Sequence, residues 1–378
     1  MERDELAAWL RLTLTPGVGN GTARKLLSAF GLPQDVFRQP AAALRALGGP
    51  ALAAALTEPP ATLDAAVTMA WAWLQEQPAA HAVVALGDPR YPAALLAIED
   101  PPPLLYLKGR LDLPLEPSRS VAIVGSRNPT PQGLLNARQF AQALRQSGMT
   151  IVSGLALGID GAAHAGALDD LPPDAPPMLA TVAVVGTGLD RVYPRSHHTL
   201  AHRIAEHGLL VSEYPLGTPP LAANFPRRNR LIAGLSSATL VVEAALQSGS
   251  LITARLAAEQ GKEVLAIPGS IHSAQSRGCH ALIRQGAKLV ESAQDVLEEL
   301  PHLGLPGSTP PDDPGCSSPP DAGDALLQAL GLDPVSLDAL QARTGLPVDV
   351  LQARLMTLEL EGTIARLPGG LLQRLVRV

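Results

Sequence analysis

The run Asn224-Phe225-Pro226-Arg227-Arg228-Asn229-Arg230-Leu231-Ile232-Ala233-Gly234-Leu235-Ser236 sets three arginines and an asparagine directly behind an aromatic, in a chain with only 3% aromatic residues. Guanidinium groups are planar multi-donor forks suited to phosphate, and a neighbouring ring offers a face on which a base can stack. The same residues would also serve as a solvated helix start whose arginines pair with nearby carboxylates.

A second group of residues shares one character. Gly125-Ser126-Arg127, Ser153-Gly154-Leu155-Ala156-Leu157-Gly158-Ile159-Asp160, Gly186-Thr187-Gly188-Leu189-Asp190, Gln247-Ser248-Gly249-Ser250 and Pro268-Gly269-Ser270 each follow a short apolar run. Glycine lets backbone approach a ligand, serine adds a hydroxyl, and a following helix presents free N–H groups and its positive dipole end. Any one such loop is an ordinary strand-to-helix turn. Several along one sheet edge make a row of anion sites, which suits a stretch of phosphodiester backbone.

These loops need a parallel sheet to align them. Candidate strands are Val121–Val124, Thr150–Val152, Thr181–Val185, Leu209–Val211, Thr239–Val242, Val264–Ile267 and Lys288–Val290, each nearly continuous in apolar residues. That pattern marks strands buried on both faces. Segments such as Leu134–Ser147 and Ile252–Gln260 have helical length and spacing between them. The expected core is therefore a doubly wound, Rossmann-like α/β domain over residues 80–302, whose ligands bind beyond the carboxyl ends of the strands. Its first part, 80–118, reads as a proline-broken connection with two short strands, Ala82–Leu86 and Leu104–Leu107.

Two flanking modules are expected. Residues 1–79 read as a helical domain of the SAM or helix-hairpin-helix type, with Thr15-Pro16-Gly17-Val18-Gly19-Asn20-Gly21 turning between two helices. A Gly-Val-Gly turn can hold a DNA phosphate on its amides. It is also the turn of a plain αα-hairpin, and six Arg/Lys against seven Asp/Glu favour the plainer role. Residues 303–322, rich in Pro, Gly and Ser, read as a flexible linker. Residues 323–378 read as a winged helix: helices at Ala325–Leu330, Leu337–Arg343 and Val348–Glu361, then a hairpin from Thr363 to Leu375. Segment 348–361 carries one Arg and three acidic residues, so this module suits protein interaction better than duplex reading.

Composition narrows the function further. The 378 residues carry a net charge of −6, which excludes coating nucleic acid by bulk charge. From 119 to 302 there are fifteen Arg/Lys and fourteen Asp/Glu, a net of +1, so binding must rest on charge placement. Arginine outnumbers lysine 25 to 4, which suits phosphate recognition and GC-rich coding alike. Two cysteines, Cys279 and Cys316, make neither a disulfide framework nor a four-ligand zinc site of the usual type. The start, Met1-Glu2-Arg3-Asp4-Glu5, lacks a signal peptide's order, and no apolar run approaches a bilayer span. A cytoplasmic protein without membrane partners is expected.

Catalytic sets are thin. Asp160, Asp190, Glu213 and Glu243 lie near strand exits, where acids more often cap helices or pair with arginines than gather a metal. His164 follows Asp160 by four residues and suits structural hydrogen bonding. Neither the dinucleotide fingerprint nor a P-loop is present, so no cofactor, no metal and no catalytic residue is expected.

Taken in order, several motifs resemble the DNA-processing protein A family (DprA, also called Smf). They are Val121-Ala122-Ile123-Val124-Gly125-Ser126-Arg127, Ser153-Gly154-Leu155-Ala156 with Gly158-Ile159-Asp160 and Ala163-His164, and Gly186-Thr187-Gly188-Leu189-Asp190 with Tyr193-Pro194. Ser212-Glu213-Tyr214-Pro215, the Phe225–Ser236 run, and Val242-Glu243-Ala244 with Ser248-Gly249-Ser250-Leu251-Ile252-Thr253-Ala254 complete the series. The resemblance covers 80–300 densely and the flanking modules more loosely. It implies a recombination mediator rather than an enzyme, one that binds and protects incoming single-stranded DNA in natural transformation and competence. It also implies loading of the RecA recombinase and a homodimer through the Rossmann-like domain. By position, Arg127 matches the family's strand-binding arginine, and Phe225 with Arg227, Arg228, Asn229 and Arg230 matches the segment that holds backbone and stacks a base. Gly125, Ser126, Gly154, Leu155, Ser248, Gly249 and Ser250 complete the expected DNA-binding set. Gln247 departs from the pattern, because a basic residue there would help hold a phosphate. The alternative is a nucleotide-processing hydrolase on a related scaffold, whose Pro-Gly-Gly-x-Gly-Thr loop is missing here. A regulator acting through the winged helix is disfavoured by the acidic 348–361.

Overall fold

Strands that alternate between two apolar layers must be covered on both sides, and the computed structural model meets that demand with three separate hydrophobic clusters around one sheet. It describes residues 1–171, 177–300, 325–332, 334–367 and 369–376. The expected linker at 303–322 lies outside the described residues.

Five helices open the chain: Arg3–Leu14 (α1), Asn20–Phe30 (α2), Pro33–Phe37 (α3), Ala41–Thr57 (α4) and Leu63–Glu76 (α5). Helix α1 carries Asp4 and Glu5 in its first turn and Arg11 in its last, the arrangement its dipole favours. Gly17 has φ +81° in the turn before α2, a conformation that costs other residues more.

Strands β1 (His81–Ala85) and β2 (Leu104–Gly109) follow. The expected connection is thus part of the sheet: β1 pairs antiparallel with β2, and β2 with the distant strand that follows Gly208. The α/β alternation then runs β3 (Ser120–Val124), α6 (Pro131–Gln146), β4 (Thr150–Ser153), α7 (Ile159–Ala167), β5 (Thr181–Val184) and α8 (His198–His207). It continues β6 (Leu209–Ser212), α9 (Asn224–Gly234), β7 (Ala238–Val241), α10 (Ser250–Glu259), β8 (Glu263–Ala266), α11 (Arg277–Arg284), β9 (Lys288–Leu289) and α12 (Ala293–Glu298). The sheet order is β1-β2-β6-β5-β4-β3-β7-β8-β9, parallel from β6 to β9. The chain therefore reverses its direction of travel across the sheet between β3 and β7, and this is the topological switch point.

Alternate residues sort cleanly between faces. Ala122, Val124, Val152, Val182 and Val211 face a layer with Leu231 and Ile232 of α9, Ala254 of α10 and Cys279 of α11. Val121, Ile123 and Ile151 face the opposite layer with α6 and α7. On the β1-β2-β6-β5 side that second layer is the amino-terminal helices, so Trp9 and Leu26 share a cluster with Tyr106, Ala183 and Leu155. Each fully buried Leu or Ile contributes about 1.5–3 kcal/mol by leaving water, and here the helices and sheet gain it from each other.

The last module has helices α13 (Ala325–Leu330), α14 (Leu337–Thr344) and α15 (Val348–Leu360), with a sheet of β10 (Val335–Ser336), β12 (Leu371–Arg374) and β11 (Ile364–Leu367). Its core includes Leu330, Leu340, Leu355, Ile364 and Leu372. Strand β10 adds one element to the expected three helices and wing. Gln132 of α6 exchanges two hydrogen bonds with the Val376 backbone, of 2.8 and 2.9 Å.

Candidate nucleic-acid interface

At the switch point a groove of about 460 Å³ opens between the carboxyl ends of β3 and β7. One wall is the turn after β3. Gly125 is tight: a Cβ there would meet Ile159 at 2.6 Å and the Glu243 carbonyl at 2.9 Å. The Ser126 N–H donates to that Glu243 carbonyl at 2.7 Å, and Ser126 Oγ accepts from the Asn128 N–H at 3.1 Å. With its neighbours pinned, Arg127 projects into solvent, its Cζ 5.7 Å from the centroid of the Phe225 ring.

The opposite wall is the Ser248-Gly249-Ser250 turn and the amino end of α10. Ser248 Oγ and Ser250 Oγ lie 2.7 Å apart, and Asn229 Nδ2 of α9 reaches the Gly249 carbonyl at 3.4 Å. The first-turn amides of α10 are taken up within the turn, Ser250 N–H by Ser248 Oγ at 3.4 Å and the Leu251 and Ile252 N–H groups by the Ser248 and Gly249 carbonyls, so what borders the groove is the positive end of the α10 dipole. Gln247 is exposed on this lip and leaves it neutral.

Helix α9 supplies the floor, and its three arginines have three different environments. Arg227 is exposed and, like Arg127, has no carboxylate partner among the described residues. Arg228 is 3% exposed. It donates from Nη1 to the carbonyls of Gly154 (2.6 Å) and Val184, and from Nε to Asn229 Oδ1 (3.1 Å). Burial lowers its pKa to about 10, so it stays charged at neutral pH while its Nε and Nη1 donors are taken up by the protein. Arg230 faces away from the groove. Its Nη2 lies 2.5 Å from Glu213 and 3.6 Å from Asp100, and Asp100 also accepts from Arg24 and Asn20 of α2, each at 2.9 Å.

The expected site residues therefore divide. Gly125, Ser126, Arg127, Phe225, Arg228, Asn229, Ser248, Gly249 and Ser250 line the groove together. Gly154 lies behind it, against Arg228. Leu155 has its side chain in the core shared with the amino-terminal helices. Arg230 belongs to a polar cluster that fastens α2 to the sheet. The amino end of α2 thus meets protein through Asn20, while Gly17 and Gly19 of the preceding turn are exposed.

The acids are structural in their contacts. Asp160 sits one residue inside α7, whose cap is Gly158, and accepts from the N–H groups of Gly154 (3.1 Å) and Ala156 (3.3 Å). Burial raises its pKa and nearby Arg228 opposes that rise. Glu243 accepts from the N–H and hydroxyl of Thr130 at the start of α6, and Asp190 from the Gly217 N–H. Among the described residues no group of three or more His, Cys, Asp or Glu is placed to hold a metal. His164 is buried and donates from Nδ1 to Thr181 Oγ1 at 2.7 Å, since that hydroxyl itself donates to the Ile151 carbonyl. Tyr193 stands beside Phe225 and is not among the expected site residues; the only sequence signal for it is its place in a family motif.

A switch-point groove, helices covering both faces of a parallel-dominated sheet and a winged helix define a Rossmann-like class of DNA-processing proteins. The DNA recombination-mediator protein A family model matches residues 82–301, and the DprA winged helix domain model matches 309–370. Protein Smf of Escherichia coli (strain K12) is 45% identical over 306 residues, covering 79% of this chain and 78% of that protein. The chain belongs to this family, the DprA/Smf proteins. The crystal structure of DNA processing protein A from Streptococcus pneumoniae is similar at TM-score 0.65 and 38% identity, over 79% of this chain and 98% of that one. That of Helicobacter pylori is similar at TM-score 0.52 and 31% identity, over 59% and 96%. Among the described residues no helix is long and apolar enough to cross a membrane.

Proposed function

We propose that this chain is a single-stranded DNA-binding recombination mediator, acting by binding rather than turnover. The observation that carries the reading is the convergence of Arg127, Phe225 and the Ser248-Gly249-Ser250 turn on one groove. Phosphates would lie on the free guanidinium of Arg127 at the groove and on that of Arg227, exposed on α9 outside its lining, with a base on the Phe225 ring. The H. pylori relative binds single-stranded DNA, which supports the reading. The carboxylate nearest the groove floor, Asp160, already serves two backbone amides, which disfavours hydrolysis.

The mediator protects incoming strands in natural transformation and passes them to RecA in the cytoplasm. It works as a homodimer: Leu246 and Leu289 are exposed and line one hollow beside the edge strand β9, an apolar patch that calls for a partner.

Fluorescence anisotropy of labelled oligo-dT and a matched duplex tests the function, with wild type and Arg127→Ala/Arg227→Ala. Preferential single-strand binding that the variant loses is expected. Equal or absent binding in wild type would sink it.

A further inference from the structure

Phe225 and Arg127 form a ridge with a depression on each side. One is the groove already described; the other is a hollow of about 80 Å³ lined on its far side by Gly154, Leu157, Tyr193 and Pro194. Arg127, Ala156, Phe225 and Arg228 line both, so the two are continuous across the ridge. The Tyr193 ring stands 5.5 Å from that of Phe225, tilted by 37°. Tyr193 and Leu157 are each 48% exposed.

A single half-exposed apolar side chain needs no explanation. Here two of them flank a third, Phe225, in a chain poor in aromatics, and a free arginine lies over the shared ring. Tyr193 has an apolar ring and a hydroxyl tip, and no hydrogen bond of that hydroxyl is present among the described residues, so the ring is not held there by its polar end.

Building on the groove as a single-strand site, we propose that this hollow is a second base subsite. One nucleobase lies in the groove against Phe225, the next against the Tyr193 ring with Leu157 at its edge, and the phosphate between them sits on Arg127. Bases on opposite sides of one intervening ring are about 7 Å apart, twice the ~3.4 Å rise of a stacked strand. One unstacked nucleotide spans that distance. The hollow is smaller than a base and cannot enclose its hydrogen-bonding edge, so contact is by stacking and is tolerant of sequence.

The test is anisotropy with oligo-dT and with an abasic deoxyribose-phosphate strand of equal length, using wild type, Tyr193→Ala, Tyr193→Phe and Leu157→Ser. Tyr193→Ala should weaken oligo-dT binding roughly 5- to 150-fold, the range for removing one base–aromatic stack. Tyr193→Phe should bind like wild type, Leu157→Ser should weaken oligo-dT binding less than Tyr193→Ala, and all four proteins should bind the abasic strand equally. Undiminished oligo-dT binding by Tyr193→Ala would overturn the subsite while leaving the groove reading intact. Equal losses on both strands would also overturn it, because base contact would not be what was removed. Wild type failing to bind either strand would overturn the groove reading first, and the subsite with it.

Discussion

The guanidinium of Arg228 lies against the backbone of Gly154, where a Cβ would overlap its Cζ and both Nη atoms. An arginine inside a basic run is here a buried strut between α9 and the ends of β4 and β5. Arg228→Ala would leave the Gly154 and Val184 carbonyls and Asp160 without their cation. It should lower unfolding free energy by about 3 kcal/mol or more, and Gly154→Ala should act in the same direction. Denaturant titration checks both; an Arg228→Ala protein as stable as wild type would remove the strut.

Arg127→Ala separates binding from folding. Its side chain is exposed, so stability should stay within about 0.5 kcal/mol of wild type. Single-strand affinity should fall roughly tenfold or more, and the salt slope should shrink by about 0.7 for each phosphate that the protein no longer neutralises. Anisotropy across a salt series measures both quantities.

Gln247→Lys tests the neutral lip in the opposite sense. An added cation beside the Ser248-Gly249-Ser250 turn should tighten single-strand binding and steepen the salt dependence by about 0.7. An unchanged slope would place the strand elsewhere.

Arg230→Ala should spare DNA and harm the fold. Arg230 and Glu213 have side chains 13% and 10% exposed, and burial raises the Glu213 pKa against the pull of Arg230. Loss of the arginine strands a buried carboxylate, a cost of about 3–5 kcal/mol. Limited proteolysis should cut the amino-terminal helices free sooner, while folded variant binds oligo-dT within about twofold of wild type. A large binding loss at full stability would return Arg230 to the interface.

His164 predicts an acid limit. Unfolded, it takes up a proton near 6.5; folded, burial holds it down to about 3. The unfolded state therefore binds more protons across that window, and stability falls as pH falls through it, by up to about 1.4 kcal/mol per pH unit. His164→Gln should flatten that slope in denaturant titrations between pH 6.5 and 4.

The parallel strands were legible because burial on both faces leaves an uninterrupted apolar run, displaced from the observed bounds by a residue or two. Strands 81–85 and 104–109 were visible as strands, but the pairing of 104–109 to 209–212 crosses about a hundred residues and leaves no local trace. The groove's loops were legible by their glycines and serines. The arginines were not separable: a helix turns each successive residue by about 100°, so Arg227, Arg228 and Arg230 face different neighbours. Which one stays free depends on the Gly154 and Val184 carbonyls and on Glu213, remote partners that no spacing discloses. Leu155 belongs to the expected DNA-binding set, yet in its loop it adopts φ +57° and turns its side chain into the core.

The neutral serine-glycine lip also sets a time scale. In the binding mode proposed above, a strand gripped chiefly by two free guanidinium groups and by stacked rings would be held with few ionic contacts. Each site can then release on its own without a large barrier, and most affinity differences are expressed as release rates. Prolonged residence must come from several sites on one strand acting together, which leaves short stretches of that strand continually open to whatever binds next.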